Sequence, residues 1–141
     1  MKVVIVGGVA GGASAAARLR RLDEACEIVL LERGEYVSFA NCGLPYYVGG
    51  VIPEKSALTV QTPESLRARF RIDVRTRSEA VSIDRAAKAV TVRDGNTGRE
   101  YRESYDRLIL STGAEPLQPA FDAAGAPNVF TLRTVPDALA I

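Results

Sequence analysis

The 141-residue sequence contains no histidine and only two cysteines, Cys26 and Cys42. Without histidine it lacks the commonest metal ligand and the commonest general base, so no metal site is expected and histidine-dependent triads are excluded. Two cysteines cannot build a disulfide scaffold of the secreted type. No apolar run approaches the roughly 18 residues of a membrane span, and the apolar start Val3 to Val6 breaks at Gly7 without the regions of a signal peptide. A cytoplasmic chain with no membrane partner is expected. Excess charge is missing as well: the formal net charge is +1, which gives no bulk electrostatic case for nucleic acid. There is no internal repeat and no low-complexity tract. What is present is 47% hydrophobic content with balanced charge, enough for the core of one ordinary soluble domain.

Lys2 to Val6 is a β-branched run of the kind buried in a parallel strand, and Gly7-Gly8-Val9-Ala10-Gly11-Gly12 leads from it into a helical stretch, Ala13 to Leu22. Glu27 to Leu31 supplies a second apolar run and completes a β-α-β unit of about 30 residues, with Glu32 at that strand's carboxyl end. Residues 34 to 61 hold glycines and prolines with little periodicity, and Asn41 is placed to cap a short helix begun by Cys42 and Gly43. Thr62-Pro63-Glu64 reads as a cap, a first-turn proline and an acidic first turn, opening a helix through about Phe70. Strands are then expected at Ile72 to Arg75, Ala80 to Ile83, Ala89 to Arg93, Glu100 to Ser104 and Arg107 to Leu110, with Asp94 to Gly98 as a hairpin turn. The fold class is therefore α/β, a parallel sheet with a small antiparallel excursion. Ser111-Thr112-Gly113-Ala114 forms a small-residue turn and a proline- and alanine-rich stretch follows. Pro136 to Ile141 reads as the start of a helix without cap or stop signal, as in a truncated chain.

A dinucleotide fingerprint wants glycine at its first position for a tight turn, at its second for close approach to pyrophosphate and at its third for helix against strand. Gly7 and Gly12 fill the first and third, and Val9 occupies the second. Backbone N–H groups and the positive helix end make the phosphate site, so the valine does not abolish it. Glu32 stands 20 residues beyond Gly12, where an acid reaches a ribose hydroxyl. The competing reading is a glycine-rich turn in an α/β domain that binds nothing.

A cysteine is a nucleophile only as thiolate, and a helix N-terminus or a nearby cation favours that form. Asn41-Cys42-Gly43 offers such a setting, whereas Cys42 taken alone reads as an ordinary half-buried residue. Cys26, at the entrance of an apolar strand, reads as structural.

Taken together, Ser38-Phe39-Ala40-Asn41-Cys42-Gly43-Leu44-Pro45-Tyr46, the loop Gly7 to Gly12 and the run Tyr105 to Ala114 closely resemble the N-terminal part of the coenzyme A disulfide reductases. The resemblance extends to the NADH-dependent persulfide or polysulfide reductases, within the single-cysteine pyridine nucleotide-disulfide oxidoreductases, and runs from Lys2 to the last residue. It implies a Rossmann-like FAD-binding domain, of which residues 1–141 are the first segment of a discontinuous whole. On that resemblance the NAD-binding and dimerisation domains are expected to lie outside these residues, and the complete enzyme would be a homodimer. It also implies that NADH or NADPH reduces FAD, which passes electrons to the Cys42 sulfur, and that the thiolate attacks a small-molecule disulfide or sulfane sulfur. Tyr47 stands where glutathione reductase-like members place a second redox cysteine. In the NADH oxidases and peroxidases the cysteine becomes a sulfenic acid; Asn41 before Cys42 and Pro45 after it look more like the disulfide-reductase branch.

For FAD the resemblance implies Gly7, Gly8, Val9, Ala10, Gly11 and Gly12 around the pyrophosphate, Glu32 on ribose, Val81 at adenine through its backbone, Ser111, Thr112, Gly113 and Ala114 beside the cofactor, and Arg133. For coenzyme A it implies Ser14, Arg18, Arg21, Ser38 and Asn41. Ser14, Arg18 and Arg21 share one helix face by their spacing; the alternative is a solvated face opposite Ala16 and Leu19. Phe70 departs from the pattern, standing where a relative has a basic substrate contact, so that Arg69 or Arg71 would have to substitute. A nucleotide-binding module without chemistry of its own is the remaining reading.

Overall fold

The computed structural model describes residues 1–117 and 126–141, so the proline- and alanine-rich stretch expected after Ala114 lies partly outside the described residues. The regular elements are β1 (Lys2–Val6), α1 (Ala10–Leu22), β2 (Glu27–Leu31), α2 (Leu44–Val48), α3 (Pro63–Phe70), β3 (Asp73–Arg75), β4 (Ser78–Asp84), β5 (Ala89–Asp94), β6 (Glu100–Ser104), β7 (Arg107–Leu110) and α4 (Val135–Ala140). They divide into two compact units, residues 1–39 with 61–112 and residues 40–60 with 113–141.

In the first unit the uninterrupted apolar runs of β1 and β2 lie side by side, parallel and in register from Lys2 against Glu27 to Val6 against Leu31. β7 pairs with the other edge of β1 and β3 with the outer edge of β2, giving the all-parallel order β3-β2-β1-β7. Successive side chains on a strand point to opposite faces, and both faces are covered. Val3, Ile5, Ile28, Leu30 and Val74 pack with Ala16 and Leu66 from the two helices. Val4, Val29 and Leu31 pack with Val90 and Val92 of the antiparallel sheet β4-β5-β6. A strand buried on both sides has no need of alternation, which is why these runs read as continuously apolar.

Local signals set the helix ends. Thr62 accepts from the Ser65 N–H while the Ser65 hydroxyl accepts from the Thr62 N–H, a reciprocal capping box, and Pro63 fills the first helical position. α3 ends on Arg71 in the left-handed region, φ 49°. Arg20, buried on α1, donates to the carbonyls of Phe70, Arg71, Asp23 and Glu24 and so ties the ends of the two helices together.

The second unit holds two 3-10 turns, 41–43 and 55–58, with α2 packed against α4. Three expectations need correction. α1 begins at Ala10, so Gly11 and Gly12 belong to its first turn and not to a loop before it. Asn41 is no cap: Ala40 takes that position without a side-chain hydrogen bond, and Asn41 opens the 3-10 turn with its carbonyl accepting from Leu44. The last helix does have a cap, because Thr134 and Asp137 form a capping box one residue before its start.

Candidate functional site

The turn from β1 into α1 is closed by backbone contacts that leave no room for side chains. Gly7 sits at φ 97°, and a Cβ there would overlap the Ser111 carbonyl, 2.7 Å from its carbon. A Cβ on Gly12 would overlap the Gly7 carbonyl, 2.9 Å from its carbon, so the helix lies on the strand as closely as a glycine permits. Gly7 N–H donates to the Leu31 carbonyl at 2.8 Å and Ser111 N–H to Val6 at 2.7 Å, locking the loop to the strands on either side. Val9 occupies the cap position of α1 with no side-chain hydrogen bond, so no side chain takes the first-turn amides. A slim glycine cradle ending in uncapped helical N–H groups fits the diphosphate of a dinucleotide.

Glu32 stands at the carboxyl end of β2, with one carboxylate oxygen accepting from Gly8 N–H at 2.7 Å and the other from Gly34 N–H at 2.8 Å. Each oxygen keeps a lone pair for a hydroxyl. The acid is thus braced against the glycine turn it was expected to serve. Ser38, at φ 46°, is held in this uncommon backbone region by its N–H to Gly8 and by Gln61 N–H to its carbonyl. Ser111 reaches the same turn, its Oγ 3.3 Å from the position of a Cβ on Gly11. Val81 is the residue skipped where the β4–β5 pairing shifts register between Ala80 and Ser82, a bulge that leaves it out of the pairing.

A cleft of about 170 Å³ opens between α1 and α3 and brings Ser14 and Ser38 together with Ala13, Ala17, Gln61, Leu66 and Phe70. Arg18 and Arg21 are exposed on α1 and do not line it. Of the two arginines expected to replace a basic residue at position 70, Arg69 lies over the Phe70 ring at 5.9 Å and Arg71 donates to the Glu24 carbonyl at 3.3 Å. Neither lines the cleft. Gln61 was not anticipated; it precedes a helix cap, a position whose side chain no sequence pattern directs.

In the second unit Cys42 is exposed, in the middle of the 41–43 turn that runs into the five-residue helix α2. The helix start expected at Cys42 is therefore a 3-10 turn, and few aligned peptides follow it. Gly43 admits the close approach of Leu58, whose Cδ2 lies 3.1 Å from where a Cβ would be. Arg133 donates from Nε to the Ala114 carbonyl at 3.0 Å and places Nη2 over Gly113, so three of the expected cofactor residues do meet. Cys26, unlike the exposed Cys42, is 2% exposed in the core, and burial pushes the Cys26 thiol pKa up.

A family model for pyridine nucleotide-disulphide oxidoreductases matches residues 1–141. The chain is 41% identical over 140 residues to a coenzyme A disulfide reductase of Staphylococcus aureus (strain JH9), covering 99% of this chain and 31% of that protein. It thus spans about a third of the length of the curated relatives it matches. Among solved structures, reduced Bacillus anthracis CoADR-RHD superposes with TM-score 0.94 at 56% identity, covering 97% of this chain and 25% of that one. A NAD-dependent persulfide reductase from A. fulgidus gives TM-score 0.94 at 39% identity over 99% of this chain and 26% of that one. Sequence and fold agree with the cradle geometry, and the chain belongs to the pyridine nucleotide-disulphide oxidoreductase family.

Proposed function

We propose that this chain is the first segment of a discontinuous FAD-binding domain in an FAD- and NAD(P)H-dependent enzyme that reduces coenzyme A disulfide or a per- or polysulfide through Cys42. The observation that carries the reading is an exposed lone thiol in a chain that also builds a side-chain-free diphosphate cradle. The chemistry supplied by bound FAD is the relay of two electrons from NAD(P)H to sulfur.

The chain's own residues divide that work. The amides of Gly7, Gly8, Val9, Ala10, Gly11 and Gly12 hold the diphosphate, Glu32 takes the ribose hydroxyls, and the Val81 backbone meets the adenine. Ser111, Thr112, Gly113 and Ala114 line the cofactor, the last two steadied by Arg133. Ser14, Arg18, Arg21, Ser38 and Asn41 receive the thiol-bearing substrate. Cys42, as thiolate, attacks one sulfur of the substrate disulfide; a new S–S bond forms to Cys42, the old one breaks, and the departing thiolate takes up a proton. Two electrons then return Cys42 to the thiolate and release the second thiol. Among the described residues no other exposed thiol is present to resolve that mixed disulfide. The complete enzyme is a homodimer acting in the cytoplasm.

In the full-length enzyme, Cys42→Ser is expected to abolish disulfide reduction while NAD(P)H still bleaches the flavin band. Undiminished disulfide turnover in that variant would remove the basis of the reading. A second reading, oxygen or peroxide reduction through a Cys42 sulfenate, has support in the likeness to the water-forming NADH oxidase from Lactobacillus brevis, TM-score 0.92 at 28% identity over 99% of this chain and 31% of that one. Mass spectrometry separates the two, a thiol adduct on Cys42 marking the first and a trapped sulfenate the second.

A further inference from the structure

Arg77 holds a left-handed backbone, φ 51°, in the two-residue link that carries the chain from β3 of the parallel sheet into β4 of the antiparallel one. A residue with a Cβ avoids this region, and only well-placed partners keep it there. Those partners are backbone groups on either side. Arg77 N–H donates to the Gly34 carbonyl at 2.9 Å, and the Arg77 carbonyl accepts from Gly95 N–H, in the β5–β6 turn, at 2.7 Å. The next residue, Ser78, is buried and its N–H donates to the Glu32 carbonyl at 2.8 Å. The Arg77 guanidinium pairs with Glu35, but both groups are about half exposed, where an ion pair is worth little.

The same bonds reach the acid at the end of β2. Gly34, whose carbonyl takes the Arg77 N–H, gives its own N–H to one Glu32 carboxylate oxygen, and the other oxygen takes the Gly8 N–H. A relay of four hydrogen bonds therefore runs from Gly95 through Arg77, Gly34 and Glu32 to the glycine turn at Gly8. A carboxylate held by one amide can still swing about its side-chain bonds. Held by two, it presents its remaining lone pairs in one direction, ordered before any ligand arrives.

We propose that Arg77 is a positioning residue for the flavin cofactor: its left-handed backbone fixes Gly34, and through Gly34 the Glu32 carboxylate, for the ribose hydroxyls of the adenosine half. The side chain at this position matters for the backbone angle it permits, not for its charge. The inference rests on the FAD part of the reading given above, which it deepens, and does not depend on what Cys42 reduces.

The test titrates FAD into the full-length apoenzyme and follows flavin fluorescence, with no sulfur substrate present. Arg77→Val places a β-branched residue where the left-handed region is all but closed to it. The dissociation constant for FAD is expected to rise about tenfold, the worth of one hydrogen bond to a charged group. Arg77→Gly enters that region without cost and should restore binding to within about twofold, although Glu35 has lost its partner. In a Glu32→Ala background Arg77→Val should add no more than about twofold, because the group it positions is gone. Gly95→Ala approaches from the far end of the relay: its Cβ would stand 3.1 Å from the Arg77 carbonyl, so the link must shift, and FAD binding should weaken about threefold. Where Arg77→Val does not fold, unchanged FAD binding by Gly95→Ala overturns the proposal. So does equal binding by Arg77→Val and the unsubstituted enzyme, equal loss in Arg77→Val and Arg77→Gly, or an Arg77→Val effect that survives Glu32→Ala. An enzyme that takes up no FAD overturns the cofactor reading and this inference with it. One that shows the contrast between Arg77→Val and Arg77→Gly yet reduces no disulfide or polysulfide overturns the catalytic reading alone.

Discussion

At Gly12 the volume of one methyl group separates a formed cradle from a broken one, because the Gly7 carbonyl already occupies it. Gly12→Ala must push α1 off β1, and we expect a loss of about 3 kcal/mol or more in urea unfolding. Gly11→Ala is the control: its Cβ would meet the Ser111 side chain, with Oγ at 3.3 Å, a hydroxyl free to turn, and Cβ at an ordinary 3.5 Å, so melting should move by no more than about 3 °C. Equal destabilisation by the two would show that the close approach at Gly12 is not the constraint. The thiols form a second contrast. Iodoacetamide is expected to label Cys42 in the native protein and Cys26 only after unfolding, since one is exposed and the other is buried with its pKa raised; peptide mass mapping reads the outcome. Gly7 and Gly12 were legible in the sequence because a backbone demand admits a single residue type. Ser38 was legible only as part of a motif, its left-handed backbone being set by partners at Gly8 and Gln61 that no local pattern reveals.

Among the elements, α3 shows what local signals can do and α1 what they cannot. Thr62-Pro63-Glu64 announced the helix through Phe70, and the observed span is Pro63–Phe70, because cap, first-turn proline and acid all act within one turn. Thr62→Ala should cost about 1 kcal/mol in thermal or urea unfolding. α1 starts three residues earlier than its composition suggests: glycine is a poor helix former by about 1 kcal/mol, and here packing on β1 overrides that preference. Arg20 was invisible, since in sequence it stands beside Arg18 and Arg21 and its partners at Phe70 and Arg71 lie some fifty positions away. Removing it takes a donor from four carbonyls, of which Glu24 keeps Arg71, so Arg20→Ala is expected to lower stability by about 3 kcal/mol. Arg20→Lys should recover little, because one ammonium cannot reproduce the planar fork that spans both helix ends. Full recovery by lysine would reduce the role of this residue to its charge.

For the molecule as a whole, the strand segments and a small antiparallel excursion from a parallel sheet could be read from runs and turns. The polar seam joining the two sheets of the first unit could not, because its members come from β1, β2, β3 and β6. Lys2 meets Glu103 at 2.5 Å and Glu27 at 3.0 Å, while Arg75 pairs with Glu103 and with Asp73. Glu103 is buried, which by itself disfavours its ionised form, yet hydrogen bonds from Lys2 and Arg75 outweigh burial and leave its pKa below the ordinary value. Lys2 is shifted the other way, its pKa raised chiefly by the bond to Glu103 against the cost of burial. The signs follow from linkage. A carboxyl with a depressed folded pKa contributes stability that is fully present above its unfolded pKa, about 4.3 for glutamate, and that is lost as pH falls through the folded value. A lysine with a raised folded pKa contributes stability that is present below its unfolded pKa of about 10.4 and is lost as pH rises through the folded one. Melting temperature should therefore decline below about pH 4 and again in strong base. Glu103→Gln leaves Lys2 with Glu27 and Arg75 with Asp73 but takes the buried acid they share from both, and we expect it to be less stable by about 1–2 kcal/mol at pH 7. Its melting curve should also fall less steeply with acid than that of the unsubstituted protein. Parallel curves from pH 7 to pH 3 would mean that other carboxylates set the acid limit and that the seam joins the sheets without governing their response to protons.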